Sequence, residues 1–178
     1  MNMKIFKTIV LTMGLMALST VQAQKIGIRA GASVATITGK DVSDVKPITS
    51  FYAGVYKEFV VVPELFFIQP ELQYSMQGYK ANDTNYTIGY LQLPVMARVY
   101  MLKTISLEAG PQIGYKVNDN LENNDDLNSF DASVAGGLGI NFPVGLSLSA
   151  RYVHGLTNIF KDVDAKHQVI QLGASFKF

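Results

Sequence analysis

The chain has no cysteine, no tryptophan and only two histidines. The absence of cysteine excludes disulfides, thiolate metal sites and a lipid-modified N-terminal cysteine. Charge is also scarce: 16% of the 178 residues are Asp, Glu, Lys or Arg, where a soluble domain has about 25%. The formal net charge is +1, which leaves no basic footprint for nucleic acid. Long apolar runs are missing too. Outside the N-terminus no uninterrupted apolar stretch reaches the length of about 20 residues that a membrane helix needs. Yet hydrophobic residues make up 48% of the chain and the mean hydropathy is +0.18. A chain that is apolar, lacks spanning helices and still crosses a bilayer must close into a barrel, where every backbone group pairs with a neighbouring strand.

The N-terminus reads as a secretory signal over residues 1–23. Lys4 and Lys7 form its positive start, residues 8–18 its apolar core, and Val21-Gln22-Ala23 offers small residues for cleavage. The apolar core is short for an uncleaved membrane anchor. The mature chain is then residues 24–178, a single barrel domain. Loss of the two lysines takes its formal charge from +1 to −1.

Eight segments alternate with the period of two that a strand imposes. They are residues 25–35, 50–59, 66–77, 90–101, 106–115, 130–142, 146–152 and 170–178. The third shows the pattern best. Phe66, Ile68, Pro70, Leu72, Tyr74 and Met76 face one way, and Gln69, Glu71, Gln73, Ser75 and Gln77 the other. Each segment is about the ten residues a tilted strand needs to cross a bilayer. Connections after the second, fourth and sixth segments are short (residues 60–65, 102–104 and 143–145). Those after the odd-numbered segments are longer and more polar. This is the pattern of an outer-membrane barrel with short periplasmic turns, and it places both termini in the periplasm. The fold expected is an all-β, eight-stranded antiparallel up-and-down transmembrane barrel.

A soluble eight-stranded barrel has the same period with its polarity inverted. Here the apolar face carries one charge, Lys57, near a turn where it can snorkel to the interface. The other face is glycine, serine, glutamine and charge. A lipid-facing charge at mid-membrane costs about 2–4 kcal/mol, so the apolar face is the outside. The inner face carries one charge per strand: Arg29, Glu58, Glu71, Arg98, Glu108, Asp131, Arg151 and Lys177. Four are positive and four negative. Arg29, Glu71, Arg98, Glu108 and Arg151 are expected at similar depths, forming a paired plug, because a buried charge requires a partner. An ion or solute path is the alternative. Tyr74, Tyr115, Tyr152 and Phe130 fall near the outer strand ends, and Phe59, Phe66, Phe142 and Phe178 near the inner ends, as two aromatic girdles. Phe176 and Phe178 close the chain with an aromatic strand, the expected signal for the barrel insertion machinery.

Several stretches occur in a telling order: Gly27-Ile28-Arg29-Ala30-Gly31; Gln69-Pro70-Glu71-Leu72-Gln73-Tyr74-Ser75 with Gln77-Gly78; Tyr90-Leu91-Gln92-Leu93-Pro94; Glu108-Ala109-Gly110-Pro111-Gln112; and Arg151-Tyr152 with Gly155-Leu156. In order and spacing they resemble the PorT-like outer-membrane β-barrel family of Bacteroidetes, over nearly all of the mature chain. The resemblance implies an eight-stranded outer-membrane barrel. Its founding member is linked to type IX secretion, and most relatives have no assigned activity. The sequence departs from the pattern at Lys57 and at the apolar turn Val60-Val61-Val62-Pro63, which either extends the second strand or touches a partner.

Motifs for chemistry are sparse. GxSxG, HExxH and a phosphate loop are absent. Some outer-membrane barrels are lipid-A hydrolases with a histidine and a serine on the outer wall. His154, with Thr157 nearby, has the lipid-facing parity, but an interfacial ring beside a loop is the simpler role. The acidic loop Asn118–Asn128, with Asp119, Glu122, Asp125 and Asp126, has calcium-ligand chemistry but not the order of a defined calcium loop. A solvated loop, bridged by divalent ions to lipopolysaccharide, is the simpler reading. Residues 82–85 read as a polar loop. No cofactor is expected. The function expected is a non-enzymatic envelope structural or interaction barrel, accessory to protein secretion. Its partners would be outer-membrane lipid, lipopolysaccharide, the insertion machinery and an envelope or secretion-complex protein. The alternatives are a lipid-modifying enzyme and a narrow small-solute channel.

Overall fold

The structure is a computed structural model, described here over residues 26–38, 46–81, 84–102, 104–119, 130–157 and 166–178. The expected signal segment lies outside the described residues, as do Glu122, Asp125 and Asp126 of the acidic loop.

Among the described residues, strand-favouring alternation yields nine strand segments: β1 (Ile26–Thr38), β2 (Lys46–Lys57), β3 (Phe59–Val62), β4 (Phe66–Ala81), β5 (Thr84–Met101), β6 (Ile105–Asp119), β7 (Phe130–Asn141), β8 (Leu146–Gly155) and β9 (Lys166–Lys177). All pairings are antiparallel. β1 lies between β2 and β9, and from β9 the sheet runs back through β8, β7, β6 and β5 to β4 and β3. β2 also pairs with β4, from Tyr52 opposite Ser75 to Tyr56 opposite Glu71, and this closes the ring. β2 and β3 form one stave interrupted at Glu58, so the barrel has the eight staves that the alternation predicts.

The two faces segregate by polarity as expected. Leu138 and Leu172 on the outside are 58% and 57% exposed, while Gln92 and Arg98 on the inside are 0% and 1% exposed. Such an inversion suits a molecule whose outer solvent is lipid. Two tyrosines of β2 help fill the lumen by lying over glycines, Tyr56 over the adjacent stave β1 and Tyr52 across β1 over β9. A Cβ at Gly27 would fall on the Tyr56 ring, and one at Gly173 on the Tyr52 hydroxyl.

Three details differ from the sequence expectation. The connection expected over residues 60–65 is shorter, and the reading in which the apolar run extends the second strand holds for residues 60–62: β3 carries the second stave past Glu58, and only residues 63–65 turn. The third connection is short. β4 and β5 run on as a hairpin of 16 and 18 residues, with Tyr79 opposite Tyr86 and Ala81 opposite Thr84. Thr84 and Asn85, expected in a polar loop, belong to β5, while Asn82 and Asp83 lie outside the described residues. β-favouring Thr and Tyr residues extend the strands. Finally, Asn118 and Asp119, expected in the acidic loop, end β6 opposite Gly89 and Ile88.

Candidate functional site in the lumen

Alternation aims one charged side chain from each stave inward, and the shear of the barrel decides which of them meet. At the centre are two arginines and two glutamates. Arg151 donates from Nη1 to Glu71 Oε2 (3.0 Å) and from Nη2 to Glu71 Oε1 (2.8 Å), a bidentate pair. Its Nε donates to Glu108 Oε1 at 2.9 Å. Arg29 reaches the same two carboxylates from the other side, with Nη1 3.2 Å from Glu71 Oε1 and Nη2 3.3 Å from Glu108 Oε2. All four side chains are buried. The ring of alternating charge gives each buried ion a partner of opposite sign; only Arg29 Nε, among the side-chain nitrogens and oxygens of the four, is buried without a hydrogen-bond partner.

Arg98, expected at the same depth, is not part of this quartet. Its backbone lies opposite Glu108 on β6 and opposite Phe67 on β4, four residues before Glu71, and its side chain makes its hydrogen bonds one tier nearer the short-turn end. Its guanidinium donates to Gln69 Oε1 (3.0 Å), Ser106 Oγ (3.0 Å from Nη2) and Asn141 Oδ1 (2.9 Å), and lies 3.5 Å from Glu58 Oε1. Glu58 is the centre of this second tier. It accepts from Tyr100 Oη at 2.6 Å and from Lys177 Nζ at 2.9 Å. The Tyr100 ring stands beneath both cations, 5.0 Å from Arg98 and 5.2 Å from Lys177, within cation–π range. Gln69 couples the tiers: it accepts from Arg98 and donates to Glu71 Oε1 at 2.6 Å.

Asp131 joins neither tier. It is buried near the outer end of β7, where Thr157 Oγ1 donates to it at 3.0 Å. The same hydroxyl accepts from Ala132 N at 3.0 Å, so Thr157 is committed to holding the end of the β7–β8 hairpin. His154 stacks on Tyr152, with ring centroids 6.4 Å apart. The structure therefore does not bring His154 and Thr157 into one constellation.

Sequence reading left His167 without a place. It lies buried inside the outer half of the lumen, its Nε2 3.2 Å from the Tyr90 hydroxyl and its ring edge-on to the tyrosine. Parity was the available signal, since His167 shares the inward register of Gln171, Ser175 and Lys177. The coupling role of Gln69 had no comparable signal. Among the described residues no group of three or more His, Cys, Asp or Glu side chains is arranged to hold a metal ion.

A family model described as outer membrane protein beta-barrel domain matches residues 22–161. The chain belongs to the outer membrane protein beta-barrel domain family. Membership of that family places it in the outer membrane of a Gram-negative bacterium. No curated protein matches the sequence. Several solved barrels share the fold. Neisserial surface protein A is 14% identical, over 86% of this chain and 97% of its own, with a TM-score of 0.64. Ail, the attachment invasion locus protein of Yersinia pestis, solved with the heparin analogue sucrose octasulfate, is 15% identical over 88% and 100%, with a TM-score of 0.56. The outer membrane enzyme PagL is 13% identical over 83% and 98%, with a TM-score of 0.55. At such identities the likeness extends to the fold and no further.

Proposed function

We propose that the protein is a sealed, non-enzymatic barrel that serves the envelope as a structural and interaction scaffold, accessory to protein secretion. The observation that carries this reading is the lumen. Two tiers of paired charge stand in series across its bore, and an eight-stranded barrel leaves little interior room beside its side chains. Charge that is neutralised by direct pairs is not free to coordinate a passing ion. The engagement of Thr157 by Asp131 and Ala132 supports a non-enzymatic role for that corner. The five sequence stretches that resemble the PorT-like family support the link to secretion and to Bacteroidetes. The short turns, with Ile26 and Phe178 beside them, face the periplasm. The long connections face outward, toward lipopolysaccharide.

The test is electrical. Purified protein inserted into planar bilayers is expected to stay at background conductance, both as wild type and as Arg98→Ala. A large, stable pore in the wild-type protein would overturn the sealed-scaffold reading.

A further inference from the structure

Of the eight inward charges, Asp131 alone has no ionic partner among the described residues. It is 6% exposed, and its hydrogen-bonding neighbours are the hydroxyls of Thr157 and Ser133. Arg29 and Arg151 are matched by Glu71 and Glu108. The surplus positive charge of the lumen sits in the lower tier, where Arg98 bonds Asn141, ten residues further along β7. Ten residues of strand span about 30 Å. Attraction over that distance does not offset the desolvation of a buried carboxylate.

The strands around Asp131 leave room beside it. Asp131 lies opposite Gly114 on the β6–β7 ladder. A Cβ on Gly114 would stand 3.5 Å from Gln92 Cγ, 3.5 Å from Tyr90 Cδ1 and 3.6 Å from Asp131 Cβ, all ordinary van der Waals contacts. Glycine at this position therefore opens a space of about one atom between the three side chains. The Tyr90 ring, held by the 3.2 Å bond between its hydroxyl and His167 Nε2, forms one wall. Gln112 stands next along β6, opposite Ser133. It is 1% exposed, and neither its Oε1 nor its Nε2 has a partner. A buried acceptor left unpaired costs stability.

Water in this space would satisfy Gln112 but leave the charge. A proton on Asp131 would cancel the charge but leave the space. A cation answers both. Asp131 brings one negative charge and its neighbours only neutral oxygens. A divalent ion would exchange one buried excess charge for another of opposite sign, so the charge of the site fits a monovalent ion.

We propose that the outer half of the lumen binds one desolvated monovalent cation over Gly114, between the Asp131 carboxylate, the Ser133 hydroxyl and Gln112 Oε1. Carboxylate, hydroxyl and amide oxygens are ligands for hard cations. Thr157 positions the carboxylate, since its hydroxyl donates to Asp131 Oδ1 while accepting from Ala132 N. The ion ties β6 to β7 near their outer ends. The quartet lies beneath it, so it enters from the exterior side and leaves the same way. The site goes beyond the scaffold reading and does not depend on it, because a leaking barrel can hold the ion as well.

Thermal unfolding of the purified full chain in a non-ionic detergent, followed by circular dichroism, tests it. Sodium chloride is compared with choline chloride at equal ionic strength, choline being too large for a one-atom space. The wild-type midpoint is expected to lie about 3–6 °C higher in sodium, the shift that a tenfold excess over the dissociation constant gives, and to level off as sodium rises. Asp131→Asn and Gly114→Ala should each melt at one temperature in both salts. The first lacks the charge, and the second fills the space with a methyl group at unstrained contact. Gly136→Ala, on the lipid face, should keep the sodium effect. A wild-type protein indifferent to sodium overturns the proposal, as does a sodium effect that survives either variant of the site. A wild-type midpoint that rises as pH falls while ignoring sodium would assign Asp131 a proton, and overturns it too.

Discussion

Glu71 and Glu108 are each shared by two arginines, and the sharing is unequal. Arg151 holds them with bonds of 2.8–3.0 Å, and Arg29 with contacts of 3.2–3.5 Å. Removing Arg151 leaves two buried carboxylates competing for the more distant guanidinium. Arg151→Ala is therefore expected to cost the barrel about 3–5 kcal/mol, the range for breaking a buried ion pair. Arg29→Ala should cost less, because the bidentate partner stays. Urea unfolding in lipid vesicles measures both, and equal losses would mean that the four side chains act as an indivisible unit. At this scale the sequence showed which charges point inward, since parity along a strand is a local property. It did not show which of them meet. Arg98 was expected beside Arg29 and Arg151 but bonds a tier below, and Asp131 bonds to a threonine. Depth in a barrel depends on the stagger of every pair of strands, which is a property of the closed ring.

Turns and edges were legible in proportion to their local chemistry. The short connection at Pro143 and Gly145 was foreseen, and the structure gives Gly145 its reason: a φ of +86°. A Cβ at that position would also stand 2.5 Å from the Lys177 carbonyl oxygen. Gly145→Ala should therefore destabilise the β7–β8 hairpin by about 1 kcal/mol or more. Gly136 is the control. It faces lipid, its nearest prospective neighbour is Glu108 O at 3.9 Å, and Gly136→Ala should be neutral or stabilise by a few tenths of a kcal/mol. The temperature at which each variant loses its compact gel mobility separates the two cases; equal shifts would remove φ as the cause. The β4–β5 hairpin was harder to foresee. Residues 82–85 have the composition of a loop, but pairing continues through Ala81 and Thr84 because the partner strand is already in register. β3 is a similar case: an apolar run after a charged break reads as either turn or strand until its pairing with β4 is seen.

For the whole molecule, the lumen's charge sums to zero but is not evenly spread. The central quartet is balanced, the tier below sets Arg98 and Lys177 against Glu58, and Asp131 stands apart toward the outer end. The quartet and the lower tier lie in series, and a path through two barriers in series is closed while either stands. Replacing Arg29, Glu71, Glu108 and Arg151 together by serine keeps the formal charge and removes the quartet. Tyr100, Arg98, Lys177 and Glu58 still fill the short-turn end, so this variant is expected to remain silent in planar bilayers. Thinning the lower tier alone, with Glu58→Ser and Lys177→Ser, leaves the quartet and should be silent as well. Only the combination of the two sets should conduct, and it should do so in protein that still shows heat-dependent gel mobility. Current through the quartet variant alone would show that the lower tier is no seal. Silence of the combined variant would place the block elsewhere, in the outer half where Tyr90 and His167 lie buried.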